Sequence, residues 1–203
     1  MTWKNFITEN IEIKGVRVYG LDESIIASGY PMVVGETTIG KIPSIQDNKR
    51  IRALGKCEIG AGHDNALNGI IVQFDLTVPV KVWTELQRYH FIDFVSSQST
   101  VWRLSKMDYD SCFDVHTDKR IIEIMKELRD KYAKTQSKED YLTLLMSCPT
   151  GVRLTARMTT NYRQLKTQWV QRHNHTLPHW RDYCRWIETL ELMPIILEKY
   201  KEG

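Results

Sequence analysis

The stretch Phe74-Asp75-Leu76-Thr77-Val78-Pro79-Val80-Lys81-Val82-Trp83-Thr84-Glu85-Leu86-Gln87-Arg88-Tyr89-His90-Phe91 decides how the chain is read. With the residues before it, Gly69 to Leu76 is β-branched and nearly continuous in apolar character, the pattern of a central strand. Pro79 suits the first turn of a following helix, where its missing N–H is not needed. Val82, Leu86 and Phe91, with Trp83 and His90, then recur at helical spacing and predict a half-buried face. The unit runs on through Ser96-Ser97-Gln98-Ser99 to Arg103, so its end is cationic and rich in hydroxyls. Thr159-Thr160-Asn161-Tyr162-Arg163-Gln164-Leu165 reads as its partner, and function is expected where the two meet.

Upstream, Ile11, Ile13, Val16 and Val18 alternate well enough for a first strand over 11–19. Asp22 and Ser24 can cap a short helix through Ile25, Ile26 and Ala27, closed by Gly29. From about 30 to 59, Gly, Pro, Thr and Lys dominate and predict a long variable loop. Gly62-His63-Asp64-Asn65 is a small polar turn before the central strand. Downstream, Asp118 can cap a helix striped by Ile121, Ile122, Met125, Leu128 and Tyr132, and Ser137 starts a second in the manner of a capping box. Val152 to Met158 alternates like a strand, with Arg153 and Arg157 on one side. Thr159 or Thr160 can cap a helix from Asn161 to about His173, and helical patterns follow over 177–189 and 194–200.

The 203 residues make one medium domain, 1–203. Hydrophobic residues at 42% and charged residues at 26% are those of a globular protein, not a disordered one. A net charge of +3 gives no direct argument for nucleic acid. No apolar run approaches the roughly 20 residues that span a bilayer. Met1-Thr2-Trp3-Lys4-Asn5-Phe6 lacks a signal-peptide core, so a cytoplasmic protein is expected. Cys57, Cys112, Cys148 and Cys184 are too scattered for a disulfide framework or a zinc set. His175 and His179 are four residues apart, but Pro178 interrupts the helix between them, and no metal site is expected.

Arg88, His90, Ser96, Ser97, Ser99 and Arg103 sit near one helix end, Arg163 and Lys166 in the first turns of another. Guanidinium groups and serine hydroxyls together suit a phosphorylated ligand, as does a helix amino terminus. The blander account of the same residues is a set of solvated charges and caps.

Gly62-His63 through Arg103 resembles the heart of the flavin-dependent thymidylate synthases, also called thymidylate synthase complementing proteins. In that family a Gly-His turn leads into a strand, a proline, and a helix carrying Arg-His-Arg with a serine after seven more residues. Gly62-His63, Phe74, Pro79 and Arg88 fall in register without gaps. Asn161-Tyr162-Arg163-Gln164-Leu165 is similar to the family's Asn-x-Arg-x-Leu helix start, and Leu21 to Met32 to its early helix. The likeness is strongest to a divergent, bacteriophage-encoded branch. It implies an α+β fold with a central, mostly antiparallel sheet and flanking helices, and a homotetramer binding FAD and dUMP between subunits. In that family reduced flavin, methylenetetrahydrofolate and NADPH convert dUMP to dTMP without a nucleophilic cysteine. Carried onto this chain, His63 and Arg88 meet FAD, with Tyr89 and His90 filling the rest of that motif. Ser97, Ser99, Arg103, Asn161 and Arg163 fall to the nucleotide.

The departures bear on chemistry. Arg88-Tyr89-His90 stands for Arg-His-Arg, Gln98 for the motif serine, Ser96 for an acidic residue, and Glu85 for a glutamine. A carboxylate at 85 would repel a phosphate or a deprotonated uracil. The expected function is therefore reductive methylation or a related C5 modification of dUMP, with a catalytically inactive, nucleotide-sequestering protein on the same fold as the alternative.

Overall fold

Alternation along 11–19 does yield a strand, and the whole fold grows from how that strand and the central one pair. The computed structural model describes residues 4–37 and 41–201. In chain order the regular elements begin with β1 (Phe6–Ile7), β2 (Glu12–Tyr19), α1 (Leu21–Ala27), α2 (Ile45–Gly55) and β3 (Ile71–Pro79). They continue with α3 (Val80–Leu86), β4 (Asp93–Ser97), α4 (Thr100–Arg103), α5 (Lys119–Thr135) and α6 (Lys138–Met146). The last are β5 (Arg153–Asn161), α7 (Tyr162–Arg172), α8 (Pro178–Ile187) and α9 (Met193–Leu197). Short 3-10 turns lie at Tyr30–Met32, Asn65–Gly69 and Glu198–Tyr200.

The five strands form one antiparallel sheet in the order β1-β2-β3-β5-β4. β3 and β5 run side by side from Ile71 opposite Asn161 to Pro79 opposite Arg153. Because strand side chains alternate, this register sends Val72, Phe74, Leu76, Val78, Ala156 and Met158 to one buried face. Gln73, Asp75, Thr77, Thr155, Arg157 and Thr159 go to the other, which is half-buried and polar. The helices α7, α8 and α9 supply the other half of the core, where the Phe74 ring lies 4.6 Å from Trp186. A second cluster of Leu104, Tyr109, Phe113, Met125 and Leu144 joins the α5–α6 hairpin to the 104–118 connection. In β2 a bulge between Lys14 and Arg17 is opened by Gly15 at φ 59°, where a Cβ would stand 3.1 Å from the Arg157 guanidinium.

Four expectations are corrected. The 30–59 loop contains α2, started by a Ser44/Asp47 capping box. Only Ile51 and Gly55 of that helix are buried, so its apolar pattern was too thin to read. Residues 38–40 of that loop, like residues 1–3 of the amino terminus, lie outside the described residues. The helix after Pro79 stops at Leu86 instead of carrying Phe91. Phe91 takes φ 57° and its carbonyl accepts from the Thr160 hydroxyl, which turns the chain into β4. Every residue of β4 is exposed, so no alternation marked it. Thr159 and Thr160 belong to β5, and Asn161 is the cap of α7, its side chain accepting from Gln164 N–H. Finally, α1 starts from Gly20 at φ 70° with no side-chain cap from Asp22 or Ser24.

Candidate functional site

The fold brings the candidate residues into three groups rather than one. The first joins the Gly62-His63 turn to the start of α7. Asp64 is almost fully buried and faces two cations, with Lys166 Nζ at 2.9 Å and Arg163 Nε at 3.0 Å. Lys166 is wholly buried and also donates to the Cys57 carbonyl at 2.5 Å. Arg163 therefore spends part of its charge on Asp64, while Asn161 caps the helix and keeps its amide NH2 without a partner among the described residues. His63 is exposed and lines a cleft of about 740 Å³ with Ser28, Met32, Arg50 and Asn65.

The second group is the turn after α3. Arg88 and His90 are exposed, whereas the Tyr89 hydroxyl accepts from Arg172 Nε at 2.7 Å. Arg172 also lies over the Trp180 ring at 4.8 Å and within 3.6 Å of the Glu85 carboxylate. Glu85 in turn accepts from Trp180 Nε1 at 2.8 Å. The expected repulsion between Glu85 and an anionic ligand is thus corrected: the carboxylate faces an internal cation and an indole N–H. Tyr89 is held in the same network, as a packing residue against α7 and α8.

The third group lies on the β4 edge. Gln98 accepts from Arg103 and, at 3.0 Å, from Thr155 N–H, so it ties α4 to β5. Thr77, Gln98, Arg103, Ser111, Arg153 and Thr155 line a pocket of about 200 Å³. Arg153 is largely buried, and its Nε and Nη2 have no hydrogen-bond partner; its nearest carboxylate, Glu12, is 3.8 Å away. Unmet donors on a largely buried guanidinium leave room for an acceptor, and the same lining holds the carboxylates of Glu12 and Asp108. Ser97 and Ser99 are exposed near this pocket in sequence but do not line it.

Along α7, Arg163 and Arg172 mark the two ends, roughly 14 Å apart at 1.5 Å per residue. Burial pushes the Cys112 and Cys148 thiols up to about 11 and the Cys184 thiol well up, so none of these three is set up for attack. His173 stacks on Trp169, His175 leans on Trp180, and His179 pairs with Asp114, so the three histidines go separate ways. Among the described residues no group of three or more His, Cys, Asp or Glu could hold a metal, and no helix is long and apolar enough to cross a membrane.

An antiparallel five-stranded sheet with this order and these flanking helices has counterparts. Thymidylate synthase X (ThyX) from Helicobacter pylori, solved with FAD and dUMP, matches over 96% of this chain and 99% of its own, with a TM-score of 0.72 at 14% identity. The fold is that of the flavin-dependent thymidylate synthases. A second ThyX structure from Helicobacter pylori complexed with FAD and dUMP matches at 0.64, covering 87% and 90% of the two chains at 13% identity. The UMP/dUMP methylase PolB from Streptomyces cacaoi, bound with 5-Br dUMP, matches at 0.69, covering 95% of each chain at 15% identity. No family profile matches the chain, and no curated protein matches it by sequence.

Sequence reasoning missed Arg172, Asp64 and the role of Arg153. Arg153 did leave a trace, as one of two arginines on the same side of a strand. The pairing of Asp64 with Lys166, 102 residues apart, left none, and it corrects the reading of Lys166 as a cation for a phosphorylated ligand, because the ammonium is wholly buried against Asp64.

Proposed function

We propose that the protein binds a pyrimidine nucleoside monophosphate such as dUMP, and FAD, on a thymidylate synthase fold, and modifies the base at C5. The observation that carries this reading is Arg153, whose unmet donors sit beside Arg103 in the β4-edge pocket. Two guanidiniums there suit a phosphate, which accepts bidentately. Ser97 and Ser99 are exposed near the pocket in sequence and can add hydroxyl donors once a ligand is seated.

The residues also fit a flavin. His63 stands in the wall of the 740 Å³ cleft, and Arg88 and His90 are exposed and so available to a pyrophosphate. When bound, reduced flavin would supply the reducing equivalent for methylation. The chain's own part is binding and orientation: Asp64 aims Arg163, and Glu85 with Tyr89 fixes Arg172. Asn161 offers its free amide to a carbonyl or ribose oxygen at the start of α7.

The three groups are separate on one chain, so a complete site is built between copies, as in the homotetramer that the resemblance implies. The exposed Phe94, Val95, Val101 and Trp102 support this, because an uncovered apolar sheet edge invites pairing with a second chain. The reading extends to a bacteriophage-encoded protein acting in the host cytoplasm.

A visible spectrum of the purified protein, with and without added FAD, is the test. A flavin band and a shift of that band on adding dUMP are expected; a protein that takes up no flavin at micromolar level sinks the enzyme reading. The second reading, a nucleotide-sequestering protein without turnover, is favoured by the engagement of Glu85, Tyr89 and Gln98 in internal hydrogen bonds. It predicts dUMP binding by calorimetry in the absence of any flavin.

A further inference from the structure

Lined by none of the residues of the three groups, a cleft of about 500 Å³ opens where the turn at Pro149–Gly151 meets the amino-terminal ends of α5 and α8. One side chain in its wall is unexplained. His179 is 5% exposed, its Nε2 lies 2.7 Å from Asp114 Oδ2, and its Nδ1 is buried with no partner. A buried imidazole nitrogen left unpaired is uncommon and asks for a ligand or a role. Asp114 cannot be the answer, because its other oxygen already accepts from His116 N–H at 3.1 Å. Pro178 at the first position of α8 has no N–H, and the Leu177 and Trp180 N–H groups already donate to His175 Nδ1 and the Leu177 carbonyl, so the His179 ring is the polar group that this end of the helix adds to the cleft.

We propose that this cleft is a second ligand site, specific for a small monocarboxylate with an aromatic or branched aliphatic body. Its chemistry is lopsided in a way that selects such a molecule. Val82, Ile121, Pro149 and Leu177 make an apolar wall suited to a ring or hydrocarbon. The polar end offers the unpartnered His179 Nδ1 and, at the exposed rim, the Lys81 ammonium. Both carboxylates facing it are already engaged, Asp114 as described and Asp118 with the backbone and side chain of Arg120. His116, exposed beside them, completes the titratable groups around the cleft. Asp114 engages the ring at Nε2, which leaves Nδ1 as the position where the imidazole meets a ligand's carboxyl group.

The probe is benzoate, titrated into the intact protein and followed by two-dimensional NMR. Saturable shifts are expected at Thr117, Gly151 and the His179 ring. His179→Gln keeps an N–H for Asp114 while deleting Nδ1, and should weaken benzoate about tenfold with the fold unchanged. Lys81→Met, at the exposed rim, should leave the fold intact and also weaken benzoate. Toluene, which has the ring without the carboxylate, should not compete. Absence of shifts at those residues, unchanged affinity in His179→Gln, or toluene binding as well as benzoate would each overturn the proposal. None of these outcomes depends on flavin or dUMP.

Discussion

At the scale of single residues, the structure assigns charge more than sequence spacing could. Lys166 is buried against Asp64, and removing one partner of a buried pair strands the other. Lys166→Met should therefore cost about 3–5 kcal/mol, read as a lower urea midpoint at unchanged slope. Arg163 alone, half solvated, does not replace it. For the β4-edge pocket, Arg103→Ala and Arg153→Ala should each weaken dUMP by about 1.5–3 kcal/mol, roughly 10- to 150-fold by calorimetry. Arg88→Ala should spare dUMP and weaken FAD instead, which separates the two groups. Equal loss of both ligands in all three variants would argue against separate roles.

At the scale of elements, two junctions shape the site. The turn at Phe91 holds a non-glycine residue at φ 57° with its side chain 67% exposed. Nothing is lost from the core there, so backbone strain decides the outcome. Phe91→Val, β-branched, should cost about 1–2 kcal/mol, whereas Phe91→Gly should cost nothing, both by chemical denaturation. The α5–α6 hairpin is pinned by Asp140, whose carboxylate accepts from Lys131 and Thr135 while its backbone N–H donates to the Ser137 hydroxyl. The hydrogen bond from Lys131, then those from Thr135 and Ser137, hold its carboxyl down to about 2 from an ordinary 3.8. A carboxyl lowered on folding stabilises above its unfolded value, and that contribution fades as pH falls from about 4 towards 2. Asp140→Asn should flatten the stability of the hairpin across that window, seen as amide exchange in α6 that no longer speeds up with acid.

At the scale of the whole molecule, the thymidylate synthase fold leaves its candidate groups apart on a single chain. Assembly is what would join them. Native mass spectrometry should show a tetramer, and Trp102→Glu, at a residue 72% exposed, should drive it towards monomer while circular dichroism stays unchanged. A protein that is monomeric at all concentrations and still binds dUMP would require the β4-edge pocket to suffice alone.

Much of this was written into local sequence. Central-strand character in 69–78, the Asp118 and Ser137 helix starts, and the β5 alternation all follow from side-chain period and cap chemistry, which act within a few residues. The likeness of Gly62-His63, Arg88 and Asn161-Tyr162-Arg163 to one family pointed to the right fold. What sequence could not decide were features made by partners far along the chain. Phe91 turns because Thr160 holds its carbonyl, and β4 exists because β5 offers it an edge. Glu85 reads as a repelling charge until Trp180 and Arg172, nearly a hundred residues away, are packed against it. Burial, not spacing, turns Arg153 from a surface cation into an unmet donor, because only tertiary packing removes the water that would otherwise have satisfied it.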